Sequence, residues 1–242
     1  MASQPAPSET IITTSTSTTT TISITGTPSD IPIPSPIIKT PLFHIRPYHA
    51  SDATTCTAAI NSNSPLIAKY MRNIFPNPAT LEGTEAWIQL CLSTTIPSSF
   101  SSVGDPTKTG GTLINYAIVS PDSSKNEFIG SIGFKPMSDI ESRTFEIGYW
   151  VRFEYWGKGI MSAAVKEFTH WAFETFGELQ RVEAQVLNDN EASVKVLTKA
   201  GFVYEGTRRK AGYKESLGGS FDIRMFGIVR DDIQGTKRDQ AL

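Results

Sequence analysis

The sequence predicts an α/β domain in which one central sheet carries helices on both faces. Short segments of alternating apolar and polar residues, typical of half-buried strands, recur between residues 43 and 229. A long amphipathic helical pattern follows a glycine turn at 157–159, and shorter helical patterns lie before and after it. Strands and helices therefore follow one another along the chain, which is typical of helices packed on a sheet.

The chain of 242 residues is long enough for one domain of ordinary size and a tail. Residues 1–40 are rich in Thr, Ser, Pro and Ile and carry three charged side chains. A segment of this composition buries too little apolar surface to offset the entropy lost on ordering. We therefore expect a disordered arm at 1–40, a folded domain at 41–232 and a flexible tail at 233–242.

Charge and composition exclude several classes of partner. A formal net charge of −2 gives no sign of bulk nucleic-acid binding, and no apolar run approaches the length of a membrane span or a signal peptide.

Cys56 and Cys91 fall in predicted helices, where each is expected to be a small buried apolar residue. These features predict a cytoplasmic protein, with the nucleus also open. His44, His49 and His170 lack metal-ligand spacing, so we expect no metal.

The first half of the domain reads as a strand, three helices and a strand pair. Ser51 or Asp52 is the expected cap of the first helix, and a segment rich in Ser, Thr, Pro and Gly at 93–111 is expected to be a loop. The predicted elements are a strand at 43–47, helices at 52–60, 65–74 and 80–92, and paired strands at 113–119 and 127–134.

The second half is organised around a strand, a glycine turn and a long helix. The strand at 145–151 alternates so that Phe145, Ile147, Tyr149 and Val151 share one face. A helix is expected from residue 160 until Gly177. A strand at 181–187, a short helix at 192–200 and a closing strand pair at 202–207 and 221–229 are predicted after it.

The glycine turn before the long helix is typical of an anion site. The first backbone N–H groups of a helix have no intrahelical partner, and the helix dipole favours negative charge there. Gly157 and Gly159 would let a phosphate approach the backbone closely. The expected ligand is a phosphorylated cofactor, and a plain tight turn between strand and helix is the alternative.

Two common phosphate-binding motifs do not match this turn. A P-loop requires Ser or Thr after its Gly-Lys pair, and Gly159 follows Gly157-Lys158. A dinucleotide fingerprint requires a third glycine where this chain has Ser162. The sequence therefore disfavours a nucleotide hydrolase or another nucleotide-dependent enzyme.

Three blocks of the sequence carry a resemblance when they are taken together. The first is Trp156-Gly-Lys-Gly-Ile-Met161, the second is Asn188 to Ser193 followed by Lys199-Ala-Gly-Phe202, and the third is Leu42-x-x-Ile-Arg-Pro-Tyr-x-x-Ser-Asp52. Together they resemble the GNAT N-acetyltransferases, and in particular their RimJ/RimL branch, from about residue 41 to 232. The family's pyrophosphate loop has the pattern Arg/Gln-x-x-Gly-x-Gly/Ala, from which Trp156 and Met161 depart.

This resemblance implies a GNAT fold, with a mixed, mostly antiparallel sheet of about six or seven strands. It also implies an acetyl-CoA-dependent N-acetyltransferase that uses acetyl-CoA as co-substrate and a primary amine as acceptor. The acceptor is a protein N-terminal α-amine or a small amine, and the protein is a monomer or homodimer. A catalytically silent acyl-CoA-binding module is the alternative from another class.

The resemblance also implies which residues contact the coenzyme. Backbone groups near the end of the strand would meet pantetheine, the glycine turn would meet the diphosphate, and polar side chains near the short helix would meet pantetheine amides. In this sequence these are Val151, Arg152, Trp156, Gly157, Lys158, Gly159, Ile160, Met161, Ser162, Asn188, Asn190 and Ser193. For both asparagines a local turn contact is the alternative.

Acetyl transfer to an amine needs a base for the ammonium and a proton source for the departing thiolate. Glu146 is the first candidate for the base and Glu183 the second, each on the polar face of its strand. The alternative for each is an ion pair with Arg143, Arg181 or Lys199.

The resemblance does not supply the proton source. Many GNAT enzymes carry a tyrosine in the short helix, where this chain has Leu197. Ser193 matches the serine of the RimL-like branch and is the candidate acid, with a helix-start hydroxyl bonded to local backbone as the alternative. Tyr204 and Tyr213 are further candidates.

Overall fold

The computed structural model describes residues 31–62, 64–72, 75, 77–96, 111–122, 127–215 and 218–233. The predicted arm up to residue 30 and the tail from residue 234 lie outside the described residues, as does 97–110 of the predicted loop.

The described residues form a mixed set of strands and helices. The helices are α1 Asp52–Asn61, α2 Ser64–Tyr70, α3 Leu81–Ser93, α4 Ile160–Thr175 and α5 Glu191–Lys199. The strands are β1 Ile38–Lys39, β2 His44–Pro47, β3 Thr95–Ile96, β4 Thr112–Leu113, β5 Asn115–Val119, β6 Phe128–Pro136, β7 Thr144–Val151, β8 Arg181–Leu187, β9 Val203–Lys214 and β10 Gly219–Val229.

Eight of these strands make one sheet in the order β1-β2-β5-β6-β7-β8-β10-β9. Every neighbouring pair in it is antiparallel except β7 and β8, which are parallel. The prediction of a mixed, mostly antiparallel sheet is confirmed. The eighth strand is β1, where Ile38 pairs with Ile45, and it lies inside the range that the sequence predicts as an arm.

Helices cover both faces of the sheet, as predicted. On one face α4 packs against the sheet through a cluster that includes Phe145, Phe168 and Val182, and Leu197 of α5 joins the same cluster. On the other face α1 and α3 pack against β5 and β6 through a second cluster, which includes Cys56 and Cys91. Both cysteines are free and buried among apolar groups, which agrees with their interpretation from sequence.

The closing hairpin and the second helix differ from their predicted lengths. β9 continues to Lys214 instead of ending near 207, because it stays paired with β10 across two irregularities in register. Lys210 lies at one of them with a positive φ of 54°, and its N–H bonds to Asp222. α2 ends at Tyr70, before the predicted limit of 74.

The start of α1 is fixed by a buried ion pair instead of a side-chain cap. Ser51 occupies the N-cap position without a side-chain cap hydrogen bond. Asp52 accepts two hydrogen bonds from Arg46, at 2.8 and 2.7 Å, and one from the N–H of His49. Arg46 and Asp52 are 2% and 1% exposed, so this pair lies in the interior and joins β2 to α1.

β7 and β8 separate part of the way along their length. Their register covers Thr144–Glu146 of β7 and Arg181–Glu183 of β8. Beyond that point β7 remains paired with β6 as far as Val151, and β8 remains paired with β10 as far as Leu187. The facing edges of these two strands therefore diverge into a cleft, which we call the β7–β8 split.

Candidate active site

The glycine turn leads from β7 to α4 and has an open outer surface. Gly157 and Gly159 have φ of 73° and 76°, in the left-handed region that favours glycine. A methyl group added at either α-carbon would meet no atom within 4 Å among the described residues. The turn therefore leaves space beside its backbone that a ligand could fill.

The first turn of α4 presents its N–H groups to this space. Gly159 is the N-cap residue and has no side chain to cap the helix. The first bond of the helix runs from the N–H of Ala163 to Gly159 O at 3.1 Å, so the N–H groups of residues 160–162 precede it. N–H groups without an acceptor inside the helix and the positive end of a 16-residue helix together suit an anion such as a diphosphate.

The bulky side chains of the turn have partners of their own within the protein. Ile160 and Met161 are 5% and 6% exposed, and their side chains belong to the core between α4 and the sheet. Trp156 donates its indole N–H to the carbonyl of Val151 at 2.9 Å and packs against Phe153. Met161 therefore fits where family members have a small residue, because its side chain points into the core.

The other predicted coenzyme contacts near this turn already have partners within the protein. The carbonyl of Val151 accepts from Trp156, and the N–H of Arg152 donates to Ile129 at 2.9 Å. The guanidinium of Arg152 forms ion pairs with Glu127 and Glu154. Lys158 places its ammonium 5.1 Å from the ring centre of Tyr155. Their contact with a coenzyme remains a prediction.

A pair of hydroxyl groups lies beside the β7–β8 split. The phenol oxygen of Tyr149 is 2.7 Å from the hydroxyl oxygen of Ser193. This contact joins β7 to the first turn of α5. Burial raises the pKa of Tyr149 well above its ordinary value. From its place in the alternating pattern, Tyr149 is expected only as part of an apolar strand face. A phenol on such a face needs a hydrogen-bond partner, and this requirement could have marked the residue.

The two predicted asparagines hold local structure around α5. The side-chain oxygen of Asn190 accepts from the N–H of Ser193 at 3.1 Å and caps the helix. Asn188 donates its N–H to Asp222 O at 3.2 Å and accepts at its carbonyl from Arg224. Asn190 thus acts as a helix cap, a local contact of the kind expected as the alternative to a coenzyme contact.

Glu146 and Glu183 are neighbours on the sheet face opposite to Tyr149. They are register partners at the last paired position of β7 and β8, and each is 8% exposed. The Arg72 guanidinium lies 2.5 Å from Glu146, and the Lys135 ammonium lies 3.9 Å from it. The structure thus brings both candidate bases to the point where the split begins.

Glu183 is also held by an ion pair, and its partner Arg181 is one of the three cations that the sequence suggested. Arg181 donates to Glu183 at 3.1 Å and forms a bidentate pair with Glu205 at 2.7 and 2.5 Å. Arg143, the other arginine considered, pairs with Glu178 instead. Arg72 was missed, because no spacing in the sequence relates this residue to β7.

Three contacts fasten α2 across the Glu146 face of the split. Arg72, just beyond the helix, binds Glu146, and Lys69 binds Asp189 at 2.7 Å. The buried ammonium of Lys214 donates to carbonyl groups at the end of α2, those of Ala68, Lys69 and Met71. α2 and the end of β9 therefore form one wall above the candidate bases.

Tyr204 and Tyr213, the further acid candidates, lie on the edge strand β9 and are 53% and 62% exposed. The Tyr204 hydroxyl bonds to Thr207 at 2.7 Å. This contact does not bring Tyr204 to the Tyr149–Ser193 pair.

Within the described ranges, no group of three or more His, Cys, Asp or Glu side chains is placed to hold a metal ion. No helix in this part of the chain is long and apolar enough to cross a membrane.

The comparison with protein families identifies the class. The model of the Acetyltransferase (GNAT) domain matches residues 43–203, so the chain belongs to the GNAT acetyltransferase family. This confirms the resemblance and the fold that the sequence predicts.

Individual relatives agree with this membership. The chain is 36% identical over 110 residues to the uncharacterized N-acetyltransferase p20 of Bacillus licheniformis, and this match spans 46% of the chain and 60% of the relative. It is 28% identical over 183 residues to the ribosomal-protein-serine acetyltransferase of Escherichia coli, spanning 73% of the chain and 98% of the relative.

Among solved structures, the fold is similar to that of RimL, a ribosomal L7/L12 alpha-N-protein acetyltransferase in complex with coenzyme A. The TM-score is 0.63 at 22% identity, and the match covers 82% of this chain and 99% of RimL. At this level of identity the likeness concerns the fold.

Proposed function

We propose that this protein is an acetyl-CoA-dependent N-acetyltransferase that transfers an acetyl group directly to a primary amine in a ternary complex. The observation that carries the proposal is the open glycine turn at the start of α4, beside the β7–β8 split. Family membership and the coenzyme A bound to the RimL neighbour support it. Acetyl-CoA, when bound, supplies an activated thioester.

The residues of the turn fit the diphosphate of this co-substrate. The N–H groups of residues 160–162 would donate to it, and the two glycines leave room for its approach. Lys158 and Ser162 lie in the same turn and helix start and would complete the contacts. The split would admit pantetheine, with Val151, Arg152, Asn188, Asn190 and Ser193 along its sides.

Polar groups approach the split from both faces of the sheet. Glu146 and Glu183 lie on the face covered by α2, and Ser193 lies on the face covered by α5. A base must remove a proton from the acceptor ammonium, and a hydrogen-bond donor must stabilise the departing sulfur. We assign the first role to Glu146, with Glu183 second, and the second role to Ser193.

The acceptor reaches Glu146 beneath the wall formed by α2 and β9. The proposed acceptor is a primary amine, either a protein N-terminus or a small amine. The name of the Escherichia coli relative, a ribosomal-protein-serine acetyltransferase, supports a peptide amine.

A catalytically silent coenzyme-binding module is the second candidate. One observation favours it, because both candidate bases already form ion pairs with arginines, Glu146 with Arg72 and Glu183 with Arg181. Such a protein would bind acetyl-CoA without transferring the acetyl group.

Two measurements, made one after the other, test the proposal. Titration calorimetry of the full chain with acetyl-CoA and with ATP should show binding of acetyl-CoA alone. Release of free thiol from acetyl-CoA is then followed with peptides bearing free N-terminal Ser or Ala and with spermidine. Release with an amine and none without it supports transfer. Binding of acetyl-CoA without release on the whole panel would support the silent module.

A further inference from the structure

The Tyr149–Ser193 hydroxyl pair connects one side of the β7–β8 split to α5. Tyr149 lies three residues beyond Glu146, where β7 and β8 are no longer paired, and its side chain faces the core on the α4 side. Ser193 lies in the first turn of α5, and its backbone N–H is held by the Asn190 cap at 3.1 Å. The 2.7 Å contact therefore joins two separate elements beside the split.

The chemistry of the two hydroxyl groups decides the direction of their hydrogen bond. Either oxygen could be the donor on distance alone. A phenol is a stronger acid and a better donor than an aliphatic alcohol, and burial keeps Tyr149 protonated. With the phenol as donor, the Ser193 oxygen accepts and its own O–H is left to point elsewhere.

We propose that Tyr149 is a positioning residue that holds the Ser193 hydroxyl as a hydrogen-bond donor towards the sulfur of coenzyme A in the split. This inference rests on the proposed function and extends it by one residue. No covalent bond changes at either side chain. An alcohol is a much weaker acid than a thiol, so Ser193 keeps its proton and stabilises negative charge on the sulfur by hydrogen bonding.

The pKa of the coenzyme thiol in the complex tests this inference without turnover. The full chain is saturated with coenzyme A, and thiolate absorbance in the ultraviolet is recorded against pH. Ser193→Ala should raise the pKa of the bound thiol by about one, a tenfold change in the thiol–thiolate equilibrium, since one hydrogen bond to the charged form is lost. Tyr149→Phe should produce most of this rise, and the double variant should add little to Ser193→Ala.

Two further variants separate positioning from general damage. Ser193→Thr retains a hydroxyl and should keep the thiol pKa close to that of the unchanged protein. Tyr116→Phe is the matched control, because it removes a buried phenol on β5 that donates to the carbonyl of Leu113 at 2.8 Å. It should leave the thiol pKa unchanged. Thermal melting with and without coenzyme A confirms that each variant is folded when measured.

The outcomes distinguish this inference from the proposed function. A thiol pKa that rises in Ser193→Ala but not in Tyr149→Phe would overturn the positioning role. A thiol pKa that changes in neither variant would overturn the contact with sulfur. If coenzyme A does not bind the unchanged protein, the proposed function itself fails. If coenzyme A binds and both variants raise the thiol pKa, the inference holds even when no acceptor is turned over.

Discussion

Glu146 of β7 and Glu183 of β8 are register partners at the last position where the two parallel strands pair. Two carboxylates at neighbouring strand positions would repel each other, and each is compensated by its own arginine, Arg72 or Arg181. Arg181 is itself held by Glu205 and is 25% exposed, whereas Arg72 is 57% exposed. Glu146 is therefore the carboxylate whose partner an incoming amine can displace more easily.

Replacing Glu146 should slow acetyl transfer with little effect on coenzyme binding. Loss of a general base typically costs about 10²–10⁴-fold in rate, so Glu146→Gln should lower kcat by that order. Steady-state kinetics and acetyl-CoA calorimetry measure the two effects separately. Glu167→Gln changes an exposed carboxylate on α4 and serves as the control. An unchanged kcat in both Glu146→Gln and Glu183→Gln would remove both residues from the role of base.

Removing Arg72 should make Glu146 more available to a cationic acceptor. The guanidinium and an acceptor ammonium compete for the same carboxylate, and an ion pair whose guanidinium is largely exposed is worth up to about 1 kcal/mol. Arg72→Ala should therefore lower KM for the acceptor by up to about fivefold. Arg143→Ala is the matched control, because Arg143 is 59% exposed and pairs with Glu178. An equal or higher KM in Arg72→Ala would show that the guanidinium does not compete with the acceptor.

A methyl group at Gly159 should weaken acetyl-CoA binding more than it weakens the fold. The left-handed backbone at 159 makes any L side chain unfavourable by about 1–2 kcal/mol. The methyl would also occupy the space beside the first N–H groups of α4. Gly159→Ala should lower affinity by at least about tenfold, since one hydrogen bond to a charged group is worth about 1.5–3 kcal/mol.

Gly218 provides the control for this substitution. It has φ of 73°, and a methyl added there, as at Gly159, would meet no atom within 4 Å among the described residues, but it lies in the β9–β10 turn. Gly218→Ala should shift the melting temperature as Gly159→Ala does while leaving acetyl-CoA affinity unchanged in calorimetry. Equal affinities for the two variants would argue against a diphosphate site at the glycine turn.

Breaking the buried pair between Arg46 and Asp52 should destabilise the fold strongly. Asp52→Asn leaves the Arg46 charge without its carboxylate in the interior, and such a change costs about 3–5 kcal/mol. Denaturant unfolding measures the loss. Asp189→Asn makes the same chemical change in the half-exposed pair with Lys69 and should cost less than about 1 kcal/mol. Similar losses for both variants would contradict the structural role given to Asp52.

The sequence was sufficient where local patterns decide the structure. The alternating residues of β7, the two glycines and the periodic apolar residues of α4 predicted the strand, the turn and the helix start correctly. These three features depend on neighbours within one or two turns of chain, which is the range that periodicity describes. The candidate diphosphate site follows from them directly.

The sequence was insufficient where distant segments meet. Arg72 reaches Glu146 across 74 positions, and Lys214 reaches the end of α2 across more than 140. Tyr149 meets Ser193 across 44 positions. No local pattern encodes such contacts, because the topology of the sheet brings the segments together. β9 was predicted too short for a related reason, since its pairing with β10 overrides a charged and irregular sequence.

The central claim concerns the amides at the start of α4, and a crystal structure of the full chain with coenzyme A tests it most directly. The predicted result is a diphosphate within hydrogen-bond distance of the N–H groups of Ile160, Met161 and Ser162, with pantetheine entering the β7–β8 split. A coenzyme bound elsewhere, or a turn closed by the side chain of Trp156, would contradict the claim.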